Sequence, residues 1–200
     1  MRRAPPVSLL GYALLGLIHG KPSSGYDLRK IFAETAMGNY SSSPGAIYPA
    51  LERLQSQSLI RGAVEDSAGL RRRRIYRITT KGAARLREWL ERPIEKNDVM
   101  RGGQELMLRF AFIGDILGPG AAIAFLRQFR ALLGAYTSQL DTYLRQQAER
   151  MPLSGRLALE SGIRSYRSLY DWTQYAIRTY IKFENKLRPR PARSAEGGPV

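Results

Sequence analysis

Apolar residues recur along most of this chain at helical spacing and in one stretch at alternating spacing. Leu10, Ala13, Leu14, Leu17 and Ile18 share one helical face and predict a first helix over about Ser8–His19. Ser24 as N-cap with Asp27 three positions on, a weak capping box, opens a second helix whose apolar face is Leu28, Ile31 and Phe32. Gly38 and Asn39 end it or form the turn that follows. A hydroxyl followed by proline, Ser43-Pro44, starts a third helix, with Ile47, Leu51 and Leu54 turned to the core. Leu59–Glu65 then reads as a strand, Asp66–Leu70 as a polar turn and Arg72–Ile78 as the return strand. On that strand Tyr76 and Ile78 share one face, Ile75 and Arg77 the other. Thr80 caps a fourth helix to about Glu91, anchored by Leu86, Trp89 and Leu90. Three helices, two strands and a helix, in that order over residues 6–92, predict a winged helix-turn-helix.

The second half is patterned differently. Arg92-Pro93 to Gly103 reads as a linker, Gln104–Ile113 as a short apolar helix, and Gly118-Pro-Gly120 as a restart. Leu126, Phe129, Leu133, Tyr136, Leu140 and Tyr143 follow at spacings alternating between three and four, the stripe of a helix in a bundle or coiled coil. A helix from Pro119 to Gln147 is about 45 Å long at 1.5 Å per residue. After a turn at Pro152–Gly155, Leu159, Ile163, Tyr166, Tyr170, Thr173, Ile177 and Tyr180 repeat the pattern. One small winged domain cannot cover both stripes, so pairing with a second copy is expected. Leu126, Phe129, Leu133, Tyr136, Leu140, Ile163, Tyr166, Tyr170, Ile177 and Tyr180 are the dimerisation candidates. The fold expected is mainly α: an N-terminal winged helix-turn-helix with a two-stranded wing, then a long-helix dimerisation domain. Its domains are residues 6–92, a helical dimerisation and effector domain over 104–188, and a Pro/Arg/Gly-rich disordered tail over 189–200.

Charge and composition narrow the function. The formal net charge is +15, which attracts polyanions. It is spread evenly, with 17 basic against 9 acidic groups in residues 1–100 and 15 against 8 in residues 101–200, so the local run Arg71–Arg74 says more than the total. The absence of cysteine removes disulfides, thiolate metal sites and catalytic thiols. The only histidine, His19, stands where the first helix should stop, a position the helix dipole favours, rather than in a triad or zinc site. With no glycine-rich phosphate loop, metal cluster or placed base, nothing points to an enzyme or a cofactor. Met1-Arg-Arg3 and the apolar run Val7–Ile18 imitate a signal peptide, but no small-x-small cleavage site follows and the run is shorter than the roughly 18–20 residues of a spanning helix. A cytoplasmic protein is expected.

The candidate chemistry is DNA binding. On the third helix Ala46, Pro49, Ala50 and Arg53 form a stripe beside the core face. The stripe is small and apolar apart from Arg53, which suits thymine methyls unless Arg53 reaches a guanine. Ser43 caps the helix, leaving Ser41 and Ser42 to meet phosphates or base edges. Pro49 is tolerated if the helix proper starts near Ala46; otherwise it bends the helix. Tyr48 lies between the two faces, partly core or a phosphate contact. Arg71, Arg72, Arg73 and Arg74, four like charges on one small hairpin, repel one another unless phosphates or a minor groove meet them; a solvated charge run is the bland reading. Lys21, Ser23 and Tyr26 are weaker phosphate candidates. The aromatic residues of the second half read as core.

The segments Ser24-Gly25-Tyr26-Asp27-Leu28, Ser43-Pro44-Gly45-Ala46-Ile47-Tyr48-Pro49-Ala50-Leu51, Leu54 with Leu59-Ile60, and Ile75-Tyr76-Arg77-Ile78-Thr79 with Gly82 resemble the PadR family of bacterial transcriptional regulators. The resemblance implies that the Tyr48-Pro49 pair belongs to the reading helix. It further implies a homodimeric repressor of inverted-repeat operators, released by a small aromatic or hydrophobic effector. The family wing often carries a Gly-Arg-Pro sequence, where this chain has Gly69-Leu70-Arg71-Arg72. The competing reading is a winged-helix protein-interaction module without DNA binding. Double-stranded DNA, a second copy and a small effector are the partners expected.

Overall fold

Eight helices and three strands follow one another in the computed structural model, which describes residues 6–41, 44–67, 70–101 and 103–187, and at 44, 66–67, 70–72 and 187 the backbone alone. The expected tail, 189–200, lies outside these residues. Contacts divide the chain into two units: Met1–Pro93 with Met107–Phe112, and Ile94–Leu106 with Ile113–Val200.

The first unit is built around α1 (Leu9–Gly20), capped by Ser8, whose Oγ accepts the Gly11 N–H at 3.1 Å. The helix is buried nearly all round, not along one stripe: Tyr12, Ala13, Leu14, Leu15 and Ile18 are all in the core. Tyr12 stacks on Trp89 with centroids 4.3 Å apart, and Gly16 leaves room for Phe112, whose ring carbons lie 2.5 Å from where a Cβ would sit. A two-residue strand, β1 (Ser23–Ser24), precedes α2 (Gly25–Glu34). It is missing from the sequence pattern and makes the sheet three-stranded, in the order β1-β3-β2.

A 3-10 turn, Pro44–Ala46, leads into α3 (Ile47–Ser56). The cap position is Ala46, with no side-chain hydrogen bond, so Pro49 falls in the first turn, where its missing N–H costs nothing. Ser43, expected as cap, and Ser42 lie outside the described residues. The helix ends in a Schellman motif: Leu59 N–H reaches the Leu54 carbonyl and Ser58 N–H the Gln55 carbonyl, with Ser58 at φ 60°.

Strands β2 (Ile60–Ser67) and β3 (Leu70–Ile78) pair antiparallel, from Ile60↔Ile78 out to Ser67↔Leu70. Helix α4 (Thr80–Glu91) is capped by Thr79, not Thr80. The Thr79 hydroxyl accepts the Gly82 N–H at 3.0 Å and donates to the Ser58 carbonyl at 2.8 Å, fastening the helix to the end of α3. Gly82 is required there, because a Cβ would fall 2.0 Å from the Leu59 carbonyl oxygen. Arg109, 1% exposed, donates to the carbonyls of Leu90 and Arg92 at the C-terminal end of α4.

The second unit corrects several expectations. The 92–103 segment is not plain linker: it carries α5 (Lys96–Met100), held by a reciprocal Glu95–Asp98 capping box and packed on α7. Helix α6 (Gln104–Leu117) runs beyond Ile113 and gives its Met107–Phe112 portion to the first unit. Helix α7 covers Pro119–Gln147, and α8 runs from Leu153 to Leu187, so Gly155 lies inside a helix rather than in the turn.

The stripes of α7 and α8 face each other within one chain as an antiparallel pair. Tyr136 meets Tyr166 edge to face at 5.1 Å, Arg130 lies 4.5 Å over the Tyr170 ring, and Asp141 accepts two hydrogen bonds from Arg167 at 2.8 Å. Leu126, Phe129, Leu133 and Ile163 are fully buried without a second copy. The other six dimerisation candidates, Tyr136, Leu140, Tyr166, Tyr170, Ile177 and Tyr180, are half-buried, so one chain covers the stripes in part. Among the described residues of α7 and α8, the large apolar side chains left outside are Tyr143, Leu153, Leu157, Tyr175, Ile181 and Phe183.

Candidate nucleic-acid interface

Strand β1 sets the geometry of the basic face. Pairing of Ser23 with Tyr76 and Ser24 with Ile75 pins the start of α2 against β3. Ser24 also caps α2: its Oγ accepts the Asp27 N–H at 3.1 Å and donates to the Asp27 carboxylate at 2.7 Å. The sheet and the cap thus fix Tyr26, Asp27 and Arg29 on the outward side of the first turn of α2. Tyr26 is 53% exposed, and the guanidinium carbons of Arg73 and Arg29 lie 5.6 and 5.8 Å from its ring centre. Arg73 also lies 3.8 Å from the Asp27 carboxylate, and both side chains are half exposed.

Arg74 takes a different path. Its guanidinium carbon is 5.9 Å from the Tyr76 ring centre, and the side chain crosses β2 where Gly62 leaves space: a Cβ there would meet Arg74 Nε at 2.6 Å. Tyr48, 46% exposed, leans from α3 onto the backbone at Gly25, where a Cβ would fall 2.6 Å from its Cε1. Between these groups lies a cleft of about 440 Å³ lined by Ser24, Gly25, Tyr26, Tyr48, Arg73, Arg74 and Tyr76. A neighbouring one of about 270 Å³ runs along α3 past Tyr48, Glu52, Gln55 and Ser56. Phenol hydroxyls and guanidinium groups around an open cleft are donors suited to phosphate oxygens. Arg77, by contrast, is spent on Glu65 at 2.7 Å.

The outward face of α3 differs from the stripe read in the sequence. Ala50 is 2% exposed and belongs to the core, while Ala46 is only half-buried. Tyr48, Pro49, Glu52, Arg53 and Ser56 face outward, so the helix presents a more polar surface than the small apolar stripe Ala46-Pro49-Ala50. Ser41 closes the 3-10 turn Ala36–Tyr40 ahead of α3. Arg71 and Arg72 lie on β3 with their side chains outside the description. Sequence reasoning missed Gly25, Gly62, Arg29, Gln55, Ser56 and Tyr76. Of these, Gly62 was signalled, since an isolated glycine in a strand marks a close approach.

Residues 14–88 match the profile described as "Transcriptional regulator PadR-like family". The negative transcriptional regulator PadR of Bacillus subtilis is 26% identical over 146 residues, covering 73% of this chain and 79% of that protein. A transcriptional regulator of Mycobacterium tuberculosis is 27% identical over 178 residues, covering 82% of this chain and 93% of its own length. A crystal structure of Bacillus subtilis PadR in complex with operator DNA is 24% identical, covers 88% of this chain and 99% of that one, and superposes with a TM-score of 0.41. These relatives are named as regulators rather than enzymes. No described helix is long and apolar enough to cross a membrane, and no described cluster of His, Asp or Glu could hold a metal. Residues 14–88 thus carry a PadR-like domain, and over most of its length the chain is similar to curated transcriptional regulators.

Proposed function

We propose that this chain is a sequence-specific DNA-binding repressor acting in the cytoplasm as a homodimer on an inverted-repeat operator. The observation that carries the reading is the exposed face on which β1 and β3 bring Arg73 and Arg74 beside Tyr26 and Tyr48, next to the outward side of α3. In this reading Ser41, Ser42, Ser43, Ala46, Pro49 and Arg53 approach the groove, and Arg71 to Arg74 with Tyr26 and Tyr48 hold the flanking phosphates. Repression follows the negative regulator of Bacillus subtilis named above. The dimer uses the side chains that α7 and α8 leave outside, Tyr143, Leu153, Leu157 and Tyr175, with the half-buried Tyr136, Leu140, Tyr166, Tyr170, Ile177 and Tyr180, rather than the buried Leu126, Phe129, Leu133 and Ile163. The family resemblance extends the proposal to release by a small aromatic or hydrophobic effector. Footprinting on DNA upstream of the chain's own gene, with sedimentation of the free protein, tests it. A two-fold symmetric site and a dimer are expected, with half-site centres about 10–10.5 base pairs apart or a multiple of that. A single asymmetric site bound by a monomer contradicts it.

A further inference from the structure

The last turn of α6, the start of α7 and one turn of α8 border an open pocket of about 270 Å³ within the second unit, lined by Gly114, Asp115, Pro119, Thr179, Tyr180 and Phe183. Three features give it a definite chemistry. Asp115 alone of the six is charged, and it stands in the last turn of a helix that carries no basic residue there. A helix C-terminus bears partial negative charge and disfavours a carboxylate, so this acid sits against the preference of its own helix. The walls beside it are aromatic. Tyr180 approaches so closely that a Cβ on Gly114 would fall 2.4 Å from its hydroxyl oxygen, and Phe183 is 53% exposed. The remaining hydroxyl is used locally, Thr179 donating to the Tyr175 carbonyl at 2.9 Å. Burial, and then the Asp115 charge, push the Tyr180 phenol above its ordinary pKa, so it stays neutral beside the carboxylate.

We infer that this pocket binds a small organic cation, an ammonium group on a flat aromatic body. The carboxylate neutralises the ammonium, and the faces of Tyr180 and Phe183 attract it in the manner of a cation–π site. An anionic ligand of the same shape is rejected by Asp115. The inference deepens the effector part of the proposed function by giving its site and the sign of its charge, and does not depend on the DNA-binding part.

Calorimetry on the full chain with benzyltrimethylammonium, benzoate and benzyl alcohol tests it. The cation should bind at least tenfold more tightly than either other probe. Asp115→Asn should cost the cation at least tenfold while leaving benzyl alcohol unchanged, and Phe183→Leu should weaken the cation severalfold. Unchanged melting temperatures, followed by circular dichroism, show that both variants remain folded. Equal binding of benzoate, an unaltered cation affinity in Asp115→Asn, or no cation binding at millimolar concentration overturns the inference. Gel shifts in the presence of the cation separate the two readings. Asp115-dependent binding without release of DNA upholds the site and removes only its effector role.

Discussion

Replacing Gly25 by alanine separates stability from DNA binding in a way the geometry makes specific. Gly25 is the first residue of α2 and has no positive φ, so alanine meets no backbone strain. In a helix interior alanine is favoured over glycine by about 1 kcal/mol, somewhat less at a terminus. The new Cβ would lie 2.6 Å from Tyr48 Cε1 and 3.3 Å from Cδ1. Tyr48 is half exposed, so its ring can swing into solvent, and the clash is relieved mostly at the expense of the cleft rather than the core. Stability should therefore change by less than about 1 kcal/mol in either direction, as for other substitutions at a surface. DNA binding should weaken by about tenfold, because one hydrogen bond to a charged phosphate is worth about 1.5 kcal/mol and Tyr48 would no longer be placed to make it. Thermal denaturation followed by circular dichroism reads the first quantity, and fluorescence anisotropy with a labelled duplex the second. Tyr48→Phe should reproduce the binding loss without any clash. Wild-type DNA affinity in both variants would refute the assignment of Tyr48 to the interface.

Two further substitutions probe the frame that holds this face. Ser58→Gly should stabilise the chain by about 0.5 kcal/mol, since Ser58 occupies the left-handed position of a Schellman motif where glycine carries no Cβ penalty; a fall in melting temperature would contradict this. A fragment ending at Leu117 should be more stable than one ending at Pro93 by several kcal/mol. The shorter piece loses Phe112 from beside Gly16 and the Arg109 bonds to the end of α4, and one large buried side chain alone contributes about 1.5–3 kcal/mol. Equal urea midpoints for the two fragments would show that α6 adds nothing to the first unit.

The periodic elements were legible. Alternating spacings of three and four showed α7 as a long helix, the Gly118-Pro-Gly120 restart marked its start, and the Ser24 hydroxyl marked the start of α2. Where two local solutions were equivalent, the sequence could not choose. Thr79 and Thr80 are both good caps, and the end of β3 at Ile78 decides for Thr79. Ala50 lies on the border of a helical stripe, and only packing puts it inside. Helix α5 and strand β1 are too short, at five and two residues, to show a period. The site was half visible: the arginine run stands out, but the meeting of Tyr26 with Arg73 and of Gly25 with Tyr48 is made by tertiary pairing across long stretches of chain. The long stripes were read correctly as helices; that their centre is covered by pairing within one chain was not legible, because periodicity shows that a face is covered and not by what.

The salt dependence of DNA binding tests the central claim most directly. In wild type and in the double variant Arg73→Gln, Arg74→Gln, the association constant is measured on one duplex between about 50 and 200 mM salt. Each lost phosphate contact removes about 0.9 from the slope of log K against log salt, so two arginines should flatten it by about 1.8 per bound protomer. Across that fourfold range the variant should then lose about twelvefold less affinity than wild type for each protomer. Both side chains are exposed, and their replacement should leave the fold intact. A shallower slope by this amount is the predicted result; parallel lines for the two proteins, or a wild-type chain that binds no duplex, would contradict the account.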